Sequence, residues 1–184
     1  AAWRSTWWVM ACAMYWIPSM AELLIENLTV TYPTPSGPVD VVQSLSLHMG
    51  AERIGIVGES GSGKSMTARA ILGLVRQPGL VRADHLSFEG LDLMHQTAQS
   101  WLRVRGRRIG MILQDPKFSL NPVLRVGVQI AETALLHGVF AKREARKRVL
   151  EMLETVGVDK PERVFDAYPH QLSGGIGQRV MIAA

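Results

Sequence analysis

The sequence holds a single cysteine, Cys12, so no disulfide can form within the chain and nothing in it argues for an oxidising compartment; a reducing, cytoplasmic setting is the expectation. Aromatic residues are scarce, and four of the five tryptophans, Trp3, Trp7, Trp8 and Trp16, crowd into residues 1–19, which also lack any acidic residue. The unbroken apolar run there, Trp7 to Ile17, falls short of the ~20 residues that a membrane-crossing helix needs. No clear small-x-small cleavage site follows Arg4, which argues against a signal peptide. Residues 1–19 therefore read as an extension outside the domain, ahead of a natural start at Met20, in preference to an interfacial anchor or a signal. Internal repeats and low-complexity tracts are absent too, and the composition fits neither a disordered nor a fibrous chain.

What remains is an ordinary globular composition: 184 residues, 47% hydrophobic and 20% charged, enough for one domain with a sizeable core. The net charge of +4 is compatible with an anionic partner but selects none. Leu23 to Tyr32 and Val41 to His48 predict strands, separated by the turn-rich Pro33 to Pro38. Arg53 to Val57 is apolar without alternation after Ile54, the pattern of a strand buried on both faces of a parallel or mixed sheet, and Ile109 to Leu113 predicts another strand. Helices are predicted over Ser65 to Leu74, Gln129 to His137 and Ala141 to Val156, the last with Val149, Leu150, Leu153 and Val156 on one side and basic residues opposite.

The strongest motif is Gly58-Glu59-Ser60-Gly61-Ser62-Gly63-Lys64-Ser65, which satisfies G-x-x-x-x-G-K-[ST] between an expected strand and an expected helix. Glycines let the backbone curl with its N–H groups inward, forming an anion nest capped by the positive end of the helix dipole, and Met66 completes the candidate nucleotide-binding stretch. Lys64 would reach the β- and γ-phosphates of a nucleotide, and the Ser65 hydroxyl would form part of a Mg²⁺ shell. Glu59 has no role that the pattern assigns. This P-loop alone leaves kinases, GTPases and helicases open.

A second motif narrows the field. Leu172-Ser173-Gly174-Gly175, followed by Gln178-Arg179, resembles the signature sequence of ABC ATPases. Physically it is another phosphate-binding helix start: Ser173 can cap the helix that follows, and Gly174 and Gly175 allow close approach to backbone N–H groups. The resemblance implies a sandwich dimer in which this segment closes over the ATP held by the P-loop of a second ABC ATPase subunit. It also implies that Tyr32 stacks on adenine, and that Gln114 is the glutamine that contacts Mg²⁺ or the attacking water and links to the membrane partner. His170 is read as a loop residue beside the signature, not as the family's switch histidine.

Finer text, GESGSGKSMT from Gly58, MILQDPKFSLNP from Met111 and YPHQLSGGIGQRVMIA from Tyr168, is similar to the oligopeptide, dipeptide and nickel importers. Ile176 and Gly177 depart from the pattern, standing where many signatures have glutamine or methionine and then a basic residue. The implied fold is an α/β P-loop core with an antiparallel β region and a helical subdomain, C-terminally incomplete: extension 1–19, nucleotide-binding core 20–115, helical subdomain 116–184. The implied function is ATP binding and hydrolysis coupled to uptake of peptides or a similar small solute. Its cofactors are ATP and Mg²⁺, and its place is the cytoplasmic face of the membrane, peripherally bound to permease subunits and indirectly served by a solute-binding protein. In the family a strand ending in aspartate and glutamate follows the signature helix, so this chain alone is expected to bind nucleotide and turn it over poorly. The competing readings are a non-hydrolysing nucleotide-binding fragment and a soluble ABC ATPase acting on nucleic acid or ribosomes. The basic clusters at Arg103, Arg105, Arg107 and Arg108, and at Lys142, Arg143, Arg146, Lys147 and Arg148, lack interleaved aromatics and read as solvated faces, so nucleic acid is not expected as a partner.

Overall fold

The computed structural model describes residues 22–113 and 119–184, so the reading of residues 1–19 lies outside it. The described residues divide into two compact units, one reaching to Met111 and one starting at Ile112, each with its own apolar core. Among the described residues, no helix is long and apolar enough to cross a membrane.

The first unit is built on a long antiparallel hairpin, β1 (Leu23–Thr34) and β2 (Gly37–Met49), whose turn shrinks to two residues because Gly37 adopts a φ of +117°. Strict alternation from Leu23 would turn Asn27 and Thr29 inward. Asn27 prevents this: its φ of +53° coincides with a break in register between Ile25 and Leu28, and the added residue turns Leu28 and Val30 to the same face as Leu23 and Ile25. All four are at most 1% exposed, each worth about 1.5–3 kcal/mol of burial. Three short strands complete an all-antiparallel sheet. β3 (Leu80–Arg82) pairs with β1 beside the hairpin end, β4 (His85–Phe88) pairs with the other end of β1, and β5 (Leu91–Asp92) pairs with β4. Helix α1 (Lys64–Ile71) and helix α2 (Ala98–Val104) supply Ile71, Trp101 and Val104 to the same core.

Two expected strands are corrected. Residues 53–57 run without a ladder, with Ile54, Ile56 and Val57 exposed at 39%, 45% and 91%. Of Ile109 to Leu113, only Ile109 makes a bridge, to Arg105. Apolar composition provides strand propensity, but a ladder needs a neighbour, and among the described residues no strand lies alongside either segment.

The second unit is helical. Helix α3 (Val126–Leu136) starts three residues before the predicted helix, and a short 3₁₀ turn over Lys142–Glu144 leads into α4 (Ala145–Thr155). Helices α5 (Pro161–Asp166) and α6 (Gly174–Ala183) close the unit around Val126, Ile130, Val149, Leu153 and Val180, all buried. Val149 and Leu153 face inward as their spacing predicts, while Lys147 and Arg148 lie on the exposed side and pair with Glu151. Asp166 joins three helices, accepting from Arg125 ahead of α3 and from Arg146 on α4, each at 3.3 Å.

Candidate nucleotide-binding site

The glycine-rich loop sits between the unpaired segment 53–57 and α1, and its shape follows from its glycines. A turn closes where the Ser62 amide donates to the Glu59 carbonyl at 3.2 Å, with Ser60 exposed at its tip. Gly61 and Gly63 carry φ values of +88° and +86°, which an L side chain rarely adopts. Gly63 is constrained twice over, since an added Cβ would lie 2.5 Å from the Val41 carbonyl oxygen of β2. Gly58 is constrained by space alone: a Cβ there would lie 2.6 Å from Ser62 Oγ.

The loop gathers its own cation. Lys64 Nζ donates to the carbonyls of Gly58 and Glu59, both at 2.7 Å, and to Ser62 Oγ at 3.0 Å, which uses all three ammonium donors. The amides of Lys64, Ser65 and Met66 belong to the first turn of α1, where no intrahelical acceptor is available to them. The Ser65 side chain is exposed at this end, whereas Met66 packs against the core. Thr67, buried at 5% exposure, locks the turn from beneath through its amide and its Oγ1, both donating to the Gly63 carbonyl. A lysine ammonium, a helix start and a curled glycine backbone thus converge, a donor set that fits a polyphosphate.

Tyr32 lies in the same unit, on β1 opposite Val39. Its ring is half-buried against Gly79, and its hydroxyl donates to the Arg76 carbonyl at 3.2 Å. In the second unit, Ser173 caps α6, its Oγ accepting from the Ile176 amide at 3.4 Å. Gly174 and Gly175 are exposed, and a Cβ on either would meet nothing within 4 Å. His170 stacks on Tyr168 with ring centroids 5.7 Å apart, ahead of the cap. The two departures from the signature pattern are accommodated locally, Ile176 packing against the apolar core and Gly177 being buried. Gln114 lies outside the described residues.

Two arginines make contacts that their place in the sequence does not announce. Arg105, grouped there with a solvated basic face, is half-buried and donates from Nε to the Leu72 carbonyl and from Nη2 to the Gly73 carbonyl, both at 2.8 Å, just past the end of α1. Burial pushes its guanidinium down from an ordinarily very high value, which leaves it charged. Its neighbour Arg108 is likewise engaged, paired with Glu89 and 5.4 Å from the Phe88 ring centre. Arg179, one turn into α6, donates to the carbonyls of Val156 and Gly157 where α4 ends. Their partners lie 22 to 33 residues away in the chain, so no local pattern reveals them.

A protein-family profile described as ABC transporter matches residues 42–184, which include the P-loop, Gln114 and the Ser173 cap. The chain belongs to the ABC transporter family. The ABC relatives include the oligopeptide transport ATP-binding protein OppD of Bacillus subtilis, 42% identical over 88% of this chain and 46% of the relative. They also include the dipeptide transport ATP-binding protein DppD of Escherichia coli, 44% identical over 89% of this chain and 50% of the relative. The chain thus spans about half the length of the curated relatives it matches. Among solved structures, the dimeric MJ0796, a bacterial ABC transporter cassette, superimposes with a TM-score of 0.69 at 27% identity, covering 89% of this chain and 68% of the cassette. A post-hydrolysis dimer of the same cassette, bound to ADP and Pi, gives a TM-score of 0.66 at 25% identity, over 89% of this chain and 68% of the other. The fold is that of an ABC ATPase: antiparallel strands and helices carrying the P-loop, with a helical unit carrying the signature.

Proposed function

We propose that this chain binds ATP with Mg²⁺ through residues 58–66 and forms the nucleotide-binding part of an importer that spends ATP on the uptake of peptides or a similar small solute. The observation that carries the reading is the Lys64 ammonium held by three neutral oxygens of its own loop. Charge-assisted bonds to phosphate are roughly twice as strong as bonds to neutral acceptors, so a triphosphate displaces these contacts favourably. The peptide-transport names of OppD and DppD support the cargo class, and the dimeric cassette supports pairing with a second ABC ATPase subunit.

In this reading each residue has a task. Lys64 neutralises the β- and γ-phosphates while Gly58, Ser60, Gly61, Ser62 and Gly63 shape the loop around them. The amides of Lys64, Ser65 and Met66 bind phosphate oxygens at the start of α1. The Ser65 hydroxyl and Gln114 hold Mg²⁺, which when bound offsets charge that develops during phosphoryl transfer. The Tyr32 ring serves as a platform for adenine. Gln114 orients water and links nucleotide state to permease subunits, placing the protein peripherally at the cytoplasmic face of the membrane, with a solute-binding protein acting beyond it. Ser173, Gly174 and Gly175 grip the nucleotide of the partner cassette, where the open space around both glycines admits phosphate to the backbone.

Titration with a fluorescent ATP analogue and Mg²⁺ tests the site. Saturable binding is expected, weakened in Lys64→Ala by about 1.5–3 kcal/mol, or tenfold and more, because a charged hydrogen-bonding partner is removed. Unchanged affinity in that variant would remove Lys64 from the site, and folded protein that shows no saturable binding would sink the reading.

A further inference from the structure

The helix that follows the glycine-rich loop is met at its other end by the side chain of Arg105. Arg105 places Nε on the Leu72 carbonyl and Nη2 on the Gly73 carbonyl, both at 2.8 Å, where α1 gives way to the next segment. Its guanidinium lies 4.4 Å from the Trp101 ring centre. Trp101, 8% exposed, closes on the same exit, since a Cβ on Gly73 would lie 2.5 Å from its indole. The planar fork matters here: two consecutive carbonyls are met by two donors of one plane, which an ammonium cannot reproduce.

The backbone of Arg105 is tied elsewhere. Arg105 bridges to Ile109, the Gly106 amide donates to the Ile109 carbonyl at 3.0 Å, and the amides of Arg108 and Ile109 both donate to Val104. Ile109 is itself buried with Ile71 and Leu72 in one core. Helix α1 has only eight residues, a rod of about 12 Å, so a tilt imposed at its first turn is carried to its last.

We propose that Arg105 is a positioning residue that clamps the carboxyl end of α1 to the Gly106–Met111 segment, so that anion capture at Gly58–Met66 is transmitted to that segment. The proposal rests on the nucleotide reading of the loop. Arg105 touches no reacting atom; it acts by fixing α1 and by sharing its backbone with the segment that responds.

Amide hydrogen exchange on this chain, with and without saturating MgATP, tests it in wild type, Arg105→Gln and Arg105→Lys. In wild type, MgATP slows exchange at residues 58–66 and also at 106–111, the latter by about tenfold, within the usual range of coupling between sites. In Arg105→Gln the protection at 58–66 persists while the nucleotide-dependent change at 106–111 disappears. Arg105→Lys, which keeps the charge and loses the fork, retains only part of it and decides the matter should the glutamine variant fail to fold. A role confined to stability would raise exchange at 106–111 equally with and without nucleotide, leaving the ratio unchanged, and that result overturns the proposal. Wild-type protection at 58–66 with no change at 106–111 overturns it while leaving the nucleotide site standing. No protection at either segment fells the nucleotide reading, and this proposal with it.

Discussion

Ahead of α1 stands Gly63, with a φ of +86° and no side chain to cap the helix; ahead of α6 stands Ser173, with a φ of −69° and an Oγ that accepts from the Ile176 amide. The glycines around the first start are demanded by conformation and crowding, since Gly61 and Gly63 are left-handed and Gly58 and Gly63 lack room for a Cβ. Those at the second are demanded by neither, because Gly174 and Gly175 face open space with ordinary helical backbone. Two segments that look alike on paper thus use glycine for different ends. The first needs it to exist in its fold, while nothing around the second demands it.

Substitutions can break or sharpen that contrast. The largest effect is expected for Gly63→Ala, which forces a left-handed alanine against the Val41 carbonyl. It should lose about 1–3 kcal/mol from the conformation alone, and more from the clash, in a denaturant unfolding curve. A stable Gly63→Ala protein would show that crowding does not shape the loop. Ser173→Ala comes next, removing one helix cap, and should lower stability by about 1 kcal/mol in the same measurement. Gly175→Ala has the smallest effect and the opposite sign: with open space at the Cβ and helical backbone, stability should hold or rise by up to about 0.5 kcal/mol. Destabilisation comparable to that of Gly63→Ala would erase the distinction between the two helix starts.

Features that depend on a few adjacent residues were readable directly. The G-x-x-x-x-G-K-S spacing located the loop that α1 follows, Ser173 announced the α6 cap, and the placement of Val149 and Leu153 announced the buried side of α4. Strands β3, β4 and β5 were not read, because two to four residues are too few for alternation to show. Helices α2 and α5, seven and six residues long, escaped for the same reason. The apolar runs at 53–57 and 109–113 did read as strands, yet such a run states only that a ladder is favourable, not that a neighbour is present.

The sequence by itself determined the glycine-rich loop, the two helix starts and the family, because each is encoded by residue types at fixed short spacing, where backbone conformation and hydrogen bonding are local matters. Only the tertiary structure decided that Asn27 re-phases β1, that Lys64 is gathered by its own loop, and that Arg105 and Arg179 serve as distant caps. Those outcomes depend on which carbonyls and side chains the fold brings within about 3 Å, and hydrogen bonds of that length are blind to separation along the chain.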